Sequence, residues 1–162
     1  MAAVTDNITD TTGIRLKDAF VVIVKTEWNA HVTDILEAGC TKTLVENNIR
    51  FVVVRVPGAL ELPFAVKQYW EKSGETKPDA FITLGCVIRG GTPHFEYVCS
   101  GVTQGIMQLN ISLPVPVIFG VLTVNDQIQA DERTGGRQGH KGEECAAAAI
   151  KMIAFSRSFE KS

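Results

Sequence analysis

Long apolar runs are missing from this 162-residue chain, so no stretch has the length of a membrane-spanning helix. A dominant charge is missing too. Sixteen Lys and Arg against 18 Asp and Glu leave a formal net charge of −2. That balance, without an aromatic-plus-basic stripe, speaks against a nucleic-acid surface. Cysteines number four, none in a Cys-x-x-Cys pair, and the three histidines show no ligand spacing with them, which argues against zinc. Three of the four sit in apolar contexts, where a reduced thiol acts as a small hydrophobe, and their scatter points to a reducing compartment, the cytoplasm. There is no Walker A sequence, no Gly-x-Gly-x-x-Gly, no repeat and no low-complexity block. Met1 to Thr12 is polar and acidic, without the basic and apolar regions of a signal peptide. Residues 1–13 are expected to form a flexible arm and residues 14–162 a single domain.

What is present is regular alternation. Ala19 to Lys25 is a continuous β-branched run, expected as a strand covered on both faces. Val32 to Val45 has helical spacing, and Phe51 to Val56 reads as a second buried strand stopped by Pro57-Gly58. Leu60 to Trp70 is an amphipathic helix with Pro63 in its first turn. Ala80 to Leu84 is a third strand, His94 to Leu109 a third helix and Val115 to Leu122 a fourth strand. A short helix over Gln127 to Glu132 and a long Ala-rich one over Gly142 to Phe159 complete the chain. This order predicts an α/β fold, a three-layer α-β-α sandwich around a four-stranded parallel sheet, flavodoxin-like in class. Gly101-x-x-x-Gly105 falls inside a helix and reads as close packing.

Ligands of such sheets gather beyond the carboxyl ends of the strands. Four clusters are expected there: Trp28-Asn29, Pro57 to Glu61, Val87 to His94 and Phe119 to Thr123. Their coincidence points to one composite site. The third cluster belongs to Gly85-Cys-Val-Ile-Arg-Gly-Gly-Thr-Pro-His-Phe95. Glycines let backbone N–H groups approach a ligand, and a helix starting here aims its positive end at the same place, an arrangement suited to phosphate. Histidine beside an anion is suited to moving protons. A plain strand-to-helix turn with a solvated histidine is the simpler reading of this motif alone.

Five motifs in register resemble the lumazine synthase (6,7-dimethyl-8-ribityllumazine synthase) family. They are Trp28-Asn29, Val56 to Pro63 (Val-Pro-Gly-Ala-Leu-Glu-Leu-Pro), Leu84 to Val98, Pro116 to Thr123, and Gln129-Ala130 with Arg133, followed by His140-Lys141-Gly142 with Glu144. The resemblance implies condensation of 5-amino-6-(D-ribitylamino)uracil with 3,4-dihydroxy-2-butanone 4-phosphate, without metal or organic cofactor. It implies that Trp28 stacks on the pyrimidine, with Asn29 fixing the heterocycle or its loop. Ala59, Leu60 and Glu61 would bind the ribityl chain, and Val87 and Ile88 would meet the pyrimidine through their backbone. Gly91 and Thr92 would cradle the phosphate with Arg133 as its cation, His94 would transfer protons, and Phe119 would form an aromatic wall. Lys141 and Glu144 support the phosphate end. Their residue types also fit plainer roles: an interface tryptophan at 28, a first-turn helix acid at 61, a surface arginine at 133, and an i,i+3 surface pair at 141 and 144.

By the same resemblance the site lies between neighbours in a ring of five, and the short link from Arg133 to Lys141 suggests shells of 60 subunits. Riboflavin synthase is the implied protein partner. Three positions depart from the family pattern: Glu27 where Arg is usual, Pro93 before His94, and Ile128 where an acid is common. The alternative is a flavin- or lumazine-binding module of the same fold without synthesis. Another α/β sugar-phosphate enzyme, such as an isomerase or aldolase, is the other rival; a Schiff-base enzyme would want a catalytic lysine inside a strand, which the sequence does not offer.

Overall fold

The apolar run near the amino terminus becomes the central strand β1 (Phe20–Thr26), buried along its whole length in the computed structural model, which describes residues 7–160. The first six residues of the expected arm lie outside the described residues. After β1 come α1 (Ala30–Glu46), β2 (Arg50–Val56), a 3-10 turn at Ala59–Glu61, α2 (Leu62–Lys72) and β3 (Ala80–Ile88). Then follow α3 (His94–Ser112), β4 (Val117–Val124), α4 (Gln127–Glu132), β5 (Thr134–Gly136), β6 (Gly139–His140) and α5 (Lys141–Ser158).

The first four strands form one parallel sheet in the order β2-β1-β3-β4, and the expected three-layer sandwich is found. Successive strand residues face opposite sides, so β1 feeds two cores. Val21 and Ile23 pack with Leu36, Leu44, Ile150 and Ile153 beneath α1 and α5. Val22 and Val24 pack with Leu62, Val66, Phe81 and Ile106 beneath α2 and α3.

Gly101 and Gly105 hold α3 close to the segment before and inside α2. A Cβ on Gly105 would stand 2.5 Å from Pro63 Cγ, and one on Gly101 would stand 3.0 Å from Leu60 Cδ2. Close packing is therefore the role of this pair.

Three expectations change. β2 is not a buried strand: it is the sheet edge, and Arg50, Val52 and Arg55 face solvent because only β1 pairs with it. β3 runs four residues past Leu84, paired with β4 through Ile88↔Val124. A small antiparallel hairpin, β5–β6, occupies the link between Arg133 and Lys141. Residues 7–11 lie along the body, where Lys151 Nζ donates to the Asn7 and Ile8 carbonyls and Thr11 Oγ1 to Asn47 Oδ1.

Candidate active site

β1 and β3 are neighbours whose connections leave in opposite directions, one toward β2 and the other toward β4. Such a divergence opens a crevice at the strand ends. Asn29 closes its floor. The residue adopts a left-handed conformation (φ 57°), which asparagine tolerates better than most side chains, and its Nδ2 donates to the Cys86 carbonyl at 2.8 Å. Glu27 N and Trp28 N donate to the carbonyls of Val56 and Pro57, so the end of β1 stays tied to β2 as well.

Above that floor lies a cavity of about 390 Å³, a size suited to a small-molecule ligand. The end of β1 contributes Thr26, Trp28 and Asn29, and the turn after β2 contributes Gly58 to Glu61. The end of β3 supplies Cys86, Val87 and Ile88, and the following loop and helix supply Gly90, Thr92, His94, Phe95 and Val98. Trp28 keeps 74% of its surface exposed, an apolar plate at the mouth. Ten expected residues thus meet in one place: Trp28, Asn29, Ala59, Leu60, Glu61, Val87, Ile88, Thr92, His94 and, in the same loop although not itself lining, Gly91.

Loop 90–93 is built for close approach. A Cβ on Gly90 or Gly91 would meet nothing within 4 Å, and neither glycine has a positive φ. Nothing inside the chain fills the space beside either glycine, so the loop backbone is open to approach from outside. Among the described residues, the amides of Gly90, Gly91 and Thr92 donate to no protein acceptor. His94 is the first residue of α3, a helix of 19 residues whose amino end faces the loop.

The thiol of the cavity is not poised as a nucleophile. Burial pushes the Cys86 thiol up to about 11, so it stays protonated at neutral pH. One lysine does stand inside a strand: Lys25, 3% exposed, belongs to β1. Its ammonium turns to the α1 side, where Asp34 and Glu37 share it, and it does not line the cavity.

The fourth cluster stands apart. Val121 to Val124, Gln129, Glu132, Arg133 and Gln138 line a second cavity of about 430 Å³. Arg133 is held by a fork on Glu144, Nη1 to Oε1 at 3.3 Å and Nη2 to Oε2 at 3.0 Å, and also donates to the Gln138 carbonyl. Lys141 Nζ lies 3.7 Å from the same carboxylate, so two cations share one anion. Phe119 lies in mid-strand, paired with Thr83 and half-buried against the α2–α3 core, and it lines neither cavity. One chain therefore does not assemble all four clusters, because β4 carries Phe119 away from the strand end. Phe95 and Val98 were not singled out from sequence. The one-turn step from His94 to Val98 is the signal that finds the latter.

Comparison with known proteins gives one answer throughout. A family model described as 6,7-dimethyl-8-ribityllumazine synthase matches residues 18–157. A protein of that name from Bacteroides fragilis is 49% identical over 142 residues, covering 86% of this chain and 97% of the relative. One from Parabacteroides distasonis is 51% identical over 138 residues, 83% of this chain and 84% of the relative. One from Porphyromonas gingivalis is 47% identical over 144 residues, with 87% and 88% covered.

Proposed function

The chain belongs to the 6,7-dimethyl-8-ribityllumazine synthase family, and we propose that it condenses 5-amino-6-(D-ribitylamino)uracil with 3,4-dihydroxy-2-butanone 4-phosphate. The product is 6,7-dimethyl-8-ribityllumazine, with phosphate and water released, which makes the enzyme a transferase of riboflavin biosynthesis. The observation that carries the reading is the β1–β3 crevice itself. It joins an exposed indole, a polar-ended turn, a loop whose three amides bond no protein acceptor among the described residues, and a histidine in one cavity.

The pyrimidine stacks on Trp28, an electron-poor ring over an electron-rich one, with the backbone of Val87 and Ile88 along its edge and Asn29 beneath. The ribityl chain runs to Ala59, Leu60 and Glu61, where amide and carboxylate can hold a polyol. The phosphate sits on Gly91 and Thr92. The nucleophile is the substrate's own amine, which attacks the ketone and loses water to give an imine. His94 moves the protons of that step and of phosphate departure. Closure by the ribityl-bearing nitrogen expels the second water. Holding two partners that already react with one another supplies much of the acceleration.

Arg133 serves the phosphate of a neighbouring subunit's cavity, with Lys141 and Glu144 fixing its fork and Phe119 forming the neighbour's aromatic wall. What supports this is that Arg133 and His94 line separate cavities in one chain. In addition, Phe64, Tyr97, Met107 and Ile111 on α2 and α3 leave large apolar surfaces exposed. The assembly is a ring of five in the cytoplasm, closed further into a 60-subunit shell; what supports the shell is the short 133–141 link, as in the family's shell-forming members. Riboflavin synthase is the partner that takes the product. Sedimentation at a single pentamer or decamer would remove the shell.

The deciding experiment follows lumazine fluorescence when both substrates are mixed with the protein. A rate above background is expected. Arg133→Ala should raise KM for the butanone phosphate about 10- to 100-fold, the loss of a charge-assisted contact. No rate, together with Trp28 quenching by riboflavin, would mean a binding module instead.

A further inference from the structure

Loop 90–93 has a peculiarity that its glycines and free amides leave unexplained. Residues 89–94 are exposed, and no protein group bonds the Gly90, Gly91 or Thr92 amides among the described residues. Two adjacent glycines carry a large conformational entropy. A phosphate cradle made this way should wander, yet a cradle works only when its amides are already aimed.

One side chain reaches across the loop. Arg89 is the residue after β3, and its backbone N donates to the Val124 carbonyl at 2.9 Å, so its own position is fixed by the sheet. Its Nε donates to Asn125 Oδ1 at 2.9 Å. Its Nη1 donates to the Glu96 carboxylate in α3. The guanidinium carbon stands 4.2 Å from the centroid of the Phe95 ring, within the range of a cation–π contact. Phe95 and Glu96 are the two residues that follow His94. Arg89 thus grips the near end of the loop through its backbone and the far end through its side chain.

From this geometry we propose that Arg89 is a positioning residue: it bridges Asn125, Phe95 and Glu96 and thereby holds the Gly90, Gly91 and Thr92 amides and the start of α3 in the shape that receives the phosphate. The proposal rests on the reading of this loop as the phosphate site. Arg89 acts through the loop, with Nη1 on Glu96, Nε on Asn125 and its face on Phe95. The hydrogen bond from Arg89 holds the Glu96 carboxyl below its ordinary value, so the pair stays ionised throughout the neutral range.

Steady-state kinetics on Arg89→Ala, Arg89→Lys, Glu96→Gln and the Arg89→Ala/Glu96→Gln double variant test it. In Arg89→Ala, KM for the butanone phosphate should rise about 5- to 20-fold, the size expected when a cation–π contact and exposed charged hydrogen bonds are lost together. KM for the pyrimidine should stay within about twofold, because its contacts lie on other elements. Arg89→Lys keeps the charge without the planar fork and should recover only part of the loss. Glu96→Gln should shift the same KM in the same direction, and the double variant should be no worse than Arg89→Ala. These sites are exposed, so folding is retained.

An unchanged phosphate KM in Arg89→Ala would overturn the proposal. Equal rises for both substrates would do so too. Full recovery in Arg89→Lys with no effect of Glu96→Gln would also overturn it, by making Arg89 a direct phosphate ligand. Failure of the underlying reading is distinguishable: Thr92→Ala, which alters the loop itself, would then leave the phosphate KM unchanged, or the unaltered protein would show no synthase activity.

Discussion

At the scale of single residues, chemistry is concentrated in very few groups. His94 is the histidine that lines the cavity, next to the loop amides. On the proposed mechanism positioning does most of the work, so His94→Ala should lower kcat only about 10- to 100-fold, at or below the usual value of one acid–base group. Single-turnover rates will check it, and a loss far beyond that would give the histidine a larger part. The cysteines make a second expectation. Cys40, Cys86 and Cys145 are buried and burial raises each thiol, to about 11 for Cys86 and about 12 for Cys145. A thiol reagent at mildly alkaline pH should therefore label the native chain at most once, at Cys99, as mass spectrometry can count. These residues were legible where chemistry and position coincide in sequence, as at Trp28-Asn29 and Thr92 to His94. Arg89 was not, because an arginine's partners on other elements leave no local mark.

At the scale of elements, a hydrogen atom in place of a methyl group sets how α5 lies on α1. A Cβ on Gly142 would stand 2.1 Å from the Leu36 carbonyl oxygen and 3.1 Å from Cys40 N, both backbone atoms that cannot rotate away. Gly142→Ala should cost about 3 kcal/mol, the upper part of the overpacking range, with a clear fall in the thermal midpoint. The β1–α1 ion pairs predict a pH profile. Burial works against the Lys25 charge, but hydrogen bonds to Asp34 and Glu37 outweigh it and its pKa is raised. The hydrogen bond from Lys25 lowers that of Asp34. A lowered carboxyl gives stability that is present above about pH 4 and fades as pH falls through the folded value. A raised lysine gives stability that is present below about pH 10 and fades as pH climbs through its folded value. Lys25→Met should flatten both flanks in denaturant titrations.

Long apolar runs such as β1 announce themselves because both faces are covered. β2 misled because its apolar residues look the same whether a sheet continues past them or ends there. The β5–β6 hairpin was invisible: two glycines at positive φ, Gly135 and Gly139, make it, and no apolar period marks it.

At the scale of the whole molecule, the chain sorts its chemistry by sequence. Every lining residue of the His94 cavity falls between positions 26 and 98, and every one of the Arg133 cavity between 121 and 138. If neighbours complete each other's sites, the two lesions His94→Ala and Arg133→Ala damage different partners of each pairing. Two crippled proteins, unfolded and refolded together, should then rescue one another. At equal input, about a quarter of the junctions in a mixed ring would join an intact first half to an intact second half. Activity should climb toward that fraction of the original, while the same two proteins refolded separately and then combined stay weak. Inheritance of this kind, in which two defective copies make a working whole, belongs to enzymes whose sites are shared across a boundary.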